Sequence, residues 1–277
     1  MRSRNLVLAH VLFGKPVATF PGHALKSTAW FAVVAGLLLL VGGCAAGPSY
    51  NWGWYVLSPT GSRGLTNLAF LLGGLVPTIS VSVAALAVSV PIGALIGIAG
   101  TSKHHGLLWF NRSYVEIVRA VPGLVLVLWV YYGLPVIVGL QLGIFAAGVL
   151  ALGFSDSAFQ AEIFRAGIQS VARGQVDGAK SLGLNRFQIM RLVVLPQAIR
   201  SILPALGNQF VYMLKMSSIL SIIGFPELTR RSNELVVTEY RPLEIYSFLV
   251  LEYLVLILLA SWLMRRLERT LNRPWRH

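Results

Sequence analysis

Apolar residues in this chain run in long blocks, separated by short stretches where charge gathers. No Asp, Glu, Lys or Arg occurs from Ser27 to Ser62, from Gly64 to Ser102, or from Ala120 to Ser155. A helix needs about 20 apolar residues to cross a hydrocarbon core, and each block exceeds that. Such blocks must be helical, because an unpaired backbone amide in lipid costs several kcal/mol. The pattern predicts spans over residues 28–47, 67–100, 115–138, 142–166, 201–223 and 243–264. The second is long enough to bend, and Pro77 and Pro91 offer the places to do so. Trp52, Trp54 and Tyr55 follow the first span and read as interfacial anchors, since amphipathic rings favour the headgroup level.

Composition agrees. Charged residues make up 12% of the chain and hydrophobic ones 56%, with a mean hydropathy of +0.71. A soluble domain carries about 25% charge, so water is not the main solvent here. The net charge of +13 would point to nucleic acid in a soluble protein. Here it reports orientation instead, because Lys and Arg collect on cytoplasmic loops. If six spans start inside, the cytoplasmic segments hold 18 of the 23 Lys and Arg residues. Arg63, Arg230, Arg231 and Arg241 fall outside, and Lys215 falls within a span. The expectation is a multi-pass protein of the cell inner membrane with both termini in the cytoplasm and no nucleic-acid partner.

Cys44 is the one cysteine, which excludes a disulfide framework or a cysteine-based metal site. Val41-Gly42-Gly43-Cys44 resembles a lipoprotein-type cleavage box. The long stretch before it argues for an uncleaved anchor, and residue 45 onward begins outside in either case. His10, His23, His104, His105 and His277 have no metal-binding spacing, so no metal site is expected.

The informative segment lies between the fourth and fifth predicted spans. It reads Gly174-Gln175-Val176-Asp177-Gly178-Ala179-Lys180-Ser181-Leu182-Gly183, then Val193-Val194-Leu195-Pro196-Gln197-Ala198. This predicts two short helices broken at Gly183, which suits a C′ position where positive φ is easy only for glycine. Leu184, Phe187, Met190 and Val194 recur at helical spacing and form an apolar stripe, with Arg186 and Arg191 off it. Pro196 is expected to end the unit. Such a projection is either a docking device, offering apolar knobs and the Asp177 carboxylate to a cytosolic partner, or an amphipathic helix resting on lipid.

The same segment resembles the EAA loop of ABC importer permeases, E-A-A-x-x-x-G-x9-I-x-L-P. Asp177-Gly178-Ala179 stands for E-A-A, Gly183 for the glycine, and Val193-x-Leu195-Pro196 for I-x-L-P. The flanks are similar to the polar amino acid branch (histidine, glutamine, arginine type). Thr78 to Ser82 resembles T-L-x-x-S, Arg119-Ala120-Val121-Pro122 resembles R-G-T-P, and Tyr132-Gly133-Leu134-Pro135 resembles Y-F-G-L-P. Leu195-Pro196-Gln197-Ala198, Pro204, Asn208-Gln209-Phe210, Leu214-Lys215 and Ser217-Ser218 follow that branch's L-P-Q-A…P…N-Q-F…L-K-x-T/S-S run. Glu227-Leu228 and Leu267-Glu268-Arg269 also fit.

The resemblance implies an all-α integral membrane protein of the type I ABC importer permease fold. About six transmembrane helices would comprise a five-helix permease core and one N-terminal helix. Residues 1–64 would hold the N-terminal segment, first helix and external loop. Residues 65–272 would form the permease domain with its coupling loop at 168–196, and 273–277 a basic tail. The implied function is a permease subunit that forms the translocation path of an ATP-driven importer for polar or basic amino acids. The implied partners are a cytosolic ABC ATPase dimer, a second permease subunit, an external solute-binding protein, the amino acid and membrane lipid. Asp177, Gly178, Ala179, Gly183, Leu195 and Pro196 would couple to the ATPase. The chain has no Gly-x-x-x-x-Gly-Lys-Ser/Thr phosphate cradle. It is therefore expected to be no enzyme and to bind no cofactor, with ATP and Mg held by the partner.

Ionisable residues inside spans point to a pathway or a partner. Asp156, Lys215 and Glu252 are the candidates, and two carboxylates would suit a basic substrate. A buried Asp156–Lys215 pair, or a contact to a second permease, is the plainer alternative. Thr78, Asn208, Ser217 and Ser218 are candidate lining groups, with Ser82 and Gln209; each could equally hold helices together. Met216 departs from the polar residue usual at its place. A stand-alone secondary transporter would show inverted repeats, and no convincing repeat relates the halves. An intramembrane enzyme would need a catalytic constellation, and none has supporting neighbours.

Overall fold

The computed structural model describes residues 50–271. The expected first span at 28–47, the Cys44 box and the segment 273–277 lie outside the described residues. All regular structure among the described residues is helical. Four helical stretches are long and apolar enough to cross a bilayer, or five if one bent pair counts as a span.

Helices α1 (Ser62–Leu72) and α2 (Leu75–Ala99) occupy the second predicted span. The break falls at Gly73-Gly74 rather than at a proline. Pro77 sits in the first turn of α2, where a missing N–H costs nothing, and Pro91 lies inside α2 without ending it. At 25 residues, α2 is about 37 Å long, enough for a hydrocarbon core of about 30 Å.

The third predicted span is not one straight helix. α3 (His105–Ala120) meets α4 (Gly123–Leu128) at a 90° bend. Val121 is extended, as expected before Pro122, whose ring disfavours a helical predecessor. A π turn at Trp129–Gly133 joins α4 to α5 (Leu134–Val138), and Gly139 ends the run at φ +71°.

The central pair is α2 with α6 (Ile144–Gln169). A Cβ at Gly93 would stand 2.2 Å from Gln160 Cβ, and one at Gly97 2.5 Å from the Ala161 carbonyl oxygen. Only glycine allows that approach. Small residues four apart are how helices pack closely in lipid, where water cannot drive them together. Val81, Ala85, Ala151, Leu152, Met213 and Leu220 bury one core across this pair and the fifth span.

After α6 come α7 (Arg173–Ser181), α8 (Arg186–Ile189) and α9 (Leu195–Met216). α10 (Leu228–Glu239) and α11 (Pro242–Leu271) complete the described chain. Glu227 caps α10, accepting from the N–H groups of Thr229 at 2.8 Å and Arg230 at 2.7 Å, and from the Tyr253 hydroxyl at 3.0 Å. Burial pushes the Glu227 carboxyl above its ordinary pKa, while the two backbone bonds pull the other way. α11 exposes Val250, Leu251, Leu254, Leu258 and Leu259, an apolar face suited to lipid.

Candidate functional site

Two regions carry the chemistry anticipated from sequence. The first is the segment from 174 to 196. Gly183 lies at φ +79°, as expected. Its N–H donates to the Lys180 carbonyl at 2.9 Å and the Leu184 N–H to the Ala179 carbonyl at 3.2 Å, the paired pattern of a Schellman cap. Asn185 and Gln188 then close a capping box, each side chain accepting the other's backbone N–H at 2.9 Å. The two short helices are thus fixed at both sides of their turn.

The apolar stripe is split, however. Leu184, Met190 and Val194 turn inward with Ala179, Ile189 and Ala198 to form the unit's own small core. The knobs left outside are Leu182, 83% exposed, and Phe187, 71% exposed. Asp177 is exposed and receives a hydrogen bond from the Lys180 ammonium at 2.6 Å, which holds its carboxyl below the ordinary value. Gly178 is exposed, Ala179 is buried, and Leu195 and Pro196 are exposed.

Pro196 does not end the unit. It lies in the first turn of α9, and a π turn at Met190–Val194 joins α8 to α9. Pro196 has no N–H to donate back along the helix, and a widened turn absorbs the missing bond. Arg186–Ile223 is therefore one helical stretch, beginning well before the expected residue 201.

The second region surrounds Asp156 on α6, 3% exposed. Gln160 Nε2 donates to Asp156 Oδ2 at 2.9 Å, and Gln209 Nε2 on α9 donates to Oδ1. Gln160 is fully buried and its own Oε1 has no partner among the described residues. A small cavity of about 20 Å³ adjoins Asp156, walled by Phe159, Tyr212, Met213 and Met216 among others. Gln160 was missed from sequence, although a polar residue one helical turn from an in-span acid is a readable signal.

The expected Asp156–Lys215 pair is absent among the described residues. Lys215 is exposed on α9, on one face with Asn208 and Tyr212. Glu252 is buried on α11, away from this group, and neither carboxylate oxygen has a partner among the described residues. It neighbours Leu249, Tyr253 and Leu256, which pack with Leu214 and Leu228. Thr78 is fully buried, donating to the Gly74 carbonyl at 2.8 Å and accepting the Leu228 N–H at 3.3 Å. Ser82, Ser217 and Ser218 donate to carbonyls within their own helices. Ser82 also reaches the Met213 carbonyl on α9 at 3.4 Å, a bond between helices.

Sequence reasoning also missed a larger cavity, about 400 Å³, between α3 and the end of α6 that leads into α7. Arg112, Glu116, Arg119, Glu162 and Arg165 line it.

A family model described as "Binding-protein-dependent transport system inner membrane component" matches residues 89–273. A probable glutamine ABC transporter permease protein of Bacillus subtilis (strain 168) is 37% identical over 209 residues, covering 76% of this chain and 96% of the relative. A glutamine transport system permease protein of Escherichia coli (strain K12) is 35% identical over 211 residues, covering 74% and 94%. Among solved structures, an amino acid ABC transporter with histidines superposes with a TM-score of 0.72 at 37% identity, covering 80% of this chain and 100% of that one.

Proposed function

This chain belongs to the family of binding-protein-dependent transport system inner membrane components, and from that premise we propose that it is the path-forming subunit of an ATP-driven importer for polar amino acids. Segment 174–196 is the handle on which a cytosolic ATPase pulls. A relative named for glutamine transport and a solved amino acid ABC transporter with histidines support that class. Asp156 extends it to basic side chains, because a buried carboxylate favours an ammonium or guanidinium.

One observation carries the reading. A single helical stretch, Arg186–Ile223, bears both Phe187 at the handle and Gln209 at Asp156. The two are 22 residues apart, about 33 Å along a helix axis. A tilt imposed on Phe187 is therefore carried to Gln209 along one continuous helical stretch, through the π turn at Met190–Val194, which supports the rocking that alternating access requires. The exposed face with Asn208, Tyr212 and Lys215 is the surface for substrate or a second permease subunit. An external binding protein delivers substrate, and hydrolysis belongs to the ATPase. Both termini lie in the cytoplasm, the side that carries the handle.

Reconstitution tests this. Proteoliposomes holding the chain, its ATPase and the binding protein should take up labelled glutamine, histidine or arginine only with ATP. Uptake by the chain alone, or of no polar amino acid, contradicts the proposal.

A further inference from the structure

The 400 Å³ cavity at the handle end of the bundle has a charge arrangement that the translocation reading does not use. Glu162 and Arg165 are committed to each other, Nε to Oε1 at 3.0 Å and Nη2 to Oε2 at 2.6 Å, and Arg165 Nη1 donates to Gln169 at 2.9 Å. This bidentate pair forms a fixed wall. Arg112, Glu116 and Arg119 are different. They lie four and three residues apart on α3, hence on one helix face. Among the described residues neither Arg112 nor Glu116 makes an ion pair or side-chain hydrogen bond, and Arg119 rests its guanidinium 4.8 Å from the centre of the Phe159 ring.

A carboxylate between two guanidiniums, none of them in an ion pair among the described residues, selects its ligand by charge. A plain anion meets Glu116, and a plain cation meets two arginines. A group presenting both signs a few ångströms apart satisfies all three, its carboxylate on the arginines and its ammonium on Glu116. The volume lies within the 300–1,000 Å³ usual for small-ligand sites. Phe159 links this place to the mid-span region, since it also walls the small cavity beside Asp156.

We infer that the Arg112–Glu116–Arg119 face forms a second amino-acid station on the handle side of the bundle, which binds the zwitterionic α-carboxylate and α-ammonium and leaves the side chain unread. The inference rests on the proposed import of amino acids. Side-chain choice stays with the mid-span region, and this station receives what has passed Phe159. An aminophospholipid headgroup shares the anion-plus-ammonium chemistry, so the experiment must separate the two sources.

The test uses the permease–ATPase complex in phosphatidylcholine nanodiscs, without binding protein. Labelled glutamine, histidine and arginine should bind with affinities within about threefold of one another. Analogues N-acetylated or amidated at the α-position should bind at least tenfold more weakly. Glu116→Gln should weaken the free amino acid at least tenfold while improving the N-acetyl analogue, an inversion that misfolding cannot produce. Arg112→Gln with Arg119→Gln should abolish this side-chain-independent binding. An unchanged analogue ratio in Glu116→Gln overturns the station. So does absence of amino-acid binding together with Arg119-dependent retention of phosphatidylethanolamine, which makes the site a lipid site. If binding is absent but ATP-driven uptake persists, the station falls and the import reading stands. If no polar amino acid is taken up, both fall.

Discussion

The handle and the Asp156 region solve opposite problems with similar residues. Around 174–196 the backbone is locked by a Schellman cap and a capping box, while Leu182, Phe187 and the Asp177–Lys180 pair are left in the open. Around Asp156 the polar groups are turned inward, with both carboxylate oxygens taken by glutamine amides. In the proposed reading, an outer surface held rigid but unfilled is there for an ATPase to grip. In the same proposal, the buried carboxylate can exchange its two amide bonds for a substrate's without leaving a bare charge in lipid. One helical stretch joins them, and on the proposed mechanism they are the two ends of a lever.

Damage can be aimed at either end. The largest effect should come from Gly93→Val, whose Cβ would stand 2.2 Å from Gln160 Cβ. Overpacking of this kind costs about 1–3 kcal/mol and more where backbone must move. Size-exclusion chromatography should show loss of the monodisperse complex, whereas handle variants should leave it intact. Next, Leu182→Asp with Phe187→Asp should cut ATPase co-purification by at least tenfold, about 1.4 kcal/mol or more, as expected for apolar anchors at an interface centre. Circular dichroism and complex size should be unchanged, since neither side chain supports the chain's own core.

Asp156→Asn should lower uptake severalfold while assembly and ATPase binding stay at wild-type levels. Loss of the complex from detergent extracts would instead make Asp156 a structural residue. The smallest effect belongs to Asp177→Asn. Lys180 holds the Asp177 carboxyl below its ordinary pKa, so any stabilisation is present above that ordinary value and is lost as pH falls through the lowered one. Thermal stability at neutral pH should barely differ from wild type, because both partners are exposed and such pairs contribute little. Asp177→Lys should still weaken ATPase capture by reversing the charge offered to it.

Much of this was legible in the chain itself. Charge-free blocks announce spans because lipid forbids charge, and Gly183 announces its own turn because few other residues tolerate positive φ. The family resemblance reached as far as the core. The inside of the bundle was harder to read. Asp156 pairs with Gln160 and Gln209 rather than Lys215, since span composition says which residues are costly but not which face they share. Pro196 read as a stop because prolines usually are, yet a π turn four residues upstream lets the helix run through. Leu184 and Phe187 belong to one periodic stripe, but the short helices have a core of their own that takes the first and leaves the second outside. Arg119 read only as a motif charge, Arg112 only as a loop charge, and Glu116 drew no reading, because no sequence pattern reveals that α6 closes a cavity over them.

The central claim is most directly tested by a photo-activatable cross-linker on a single cysteine at position 187, in a chain with Cys44→Ser, reconstituted with its ATPase. The account predicts a cross-link to the nucleotide-binding subunit whose yield changes between ATP-bound and nucleotide-free states. A cross-link to lipid alone, in every state, would contradict it.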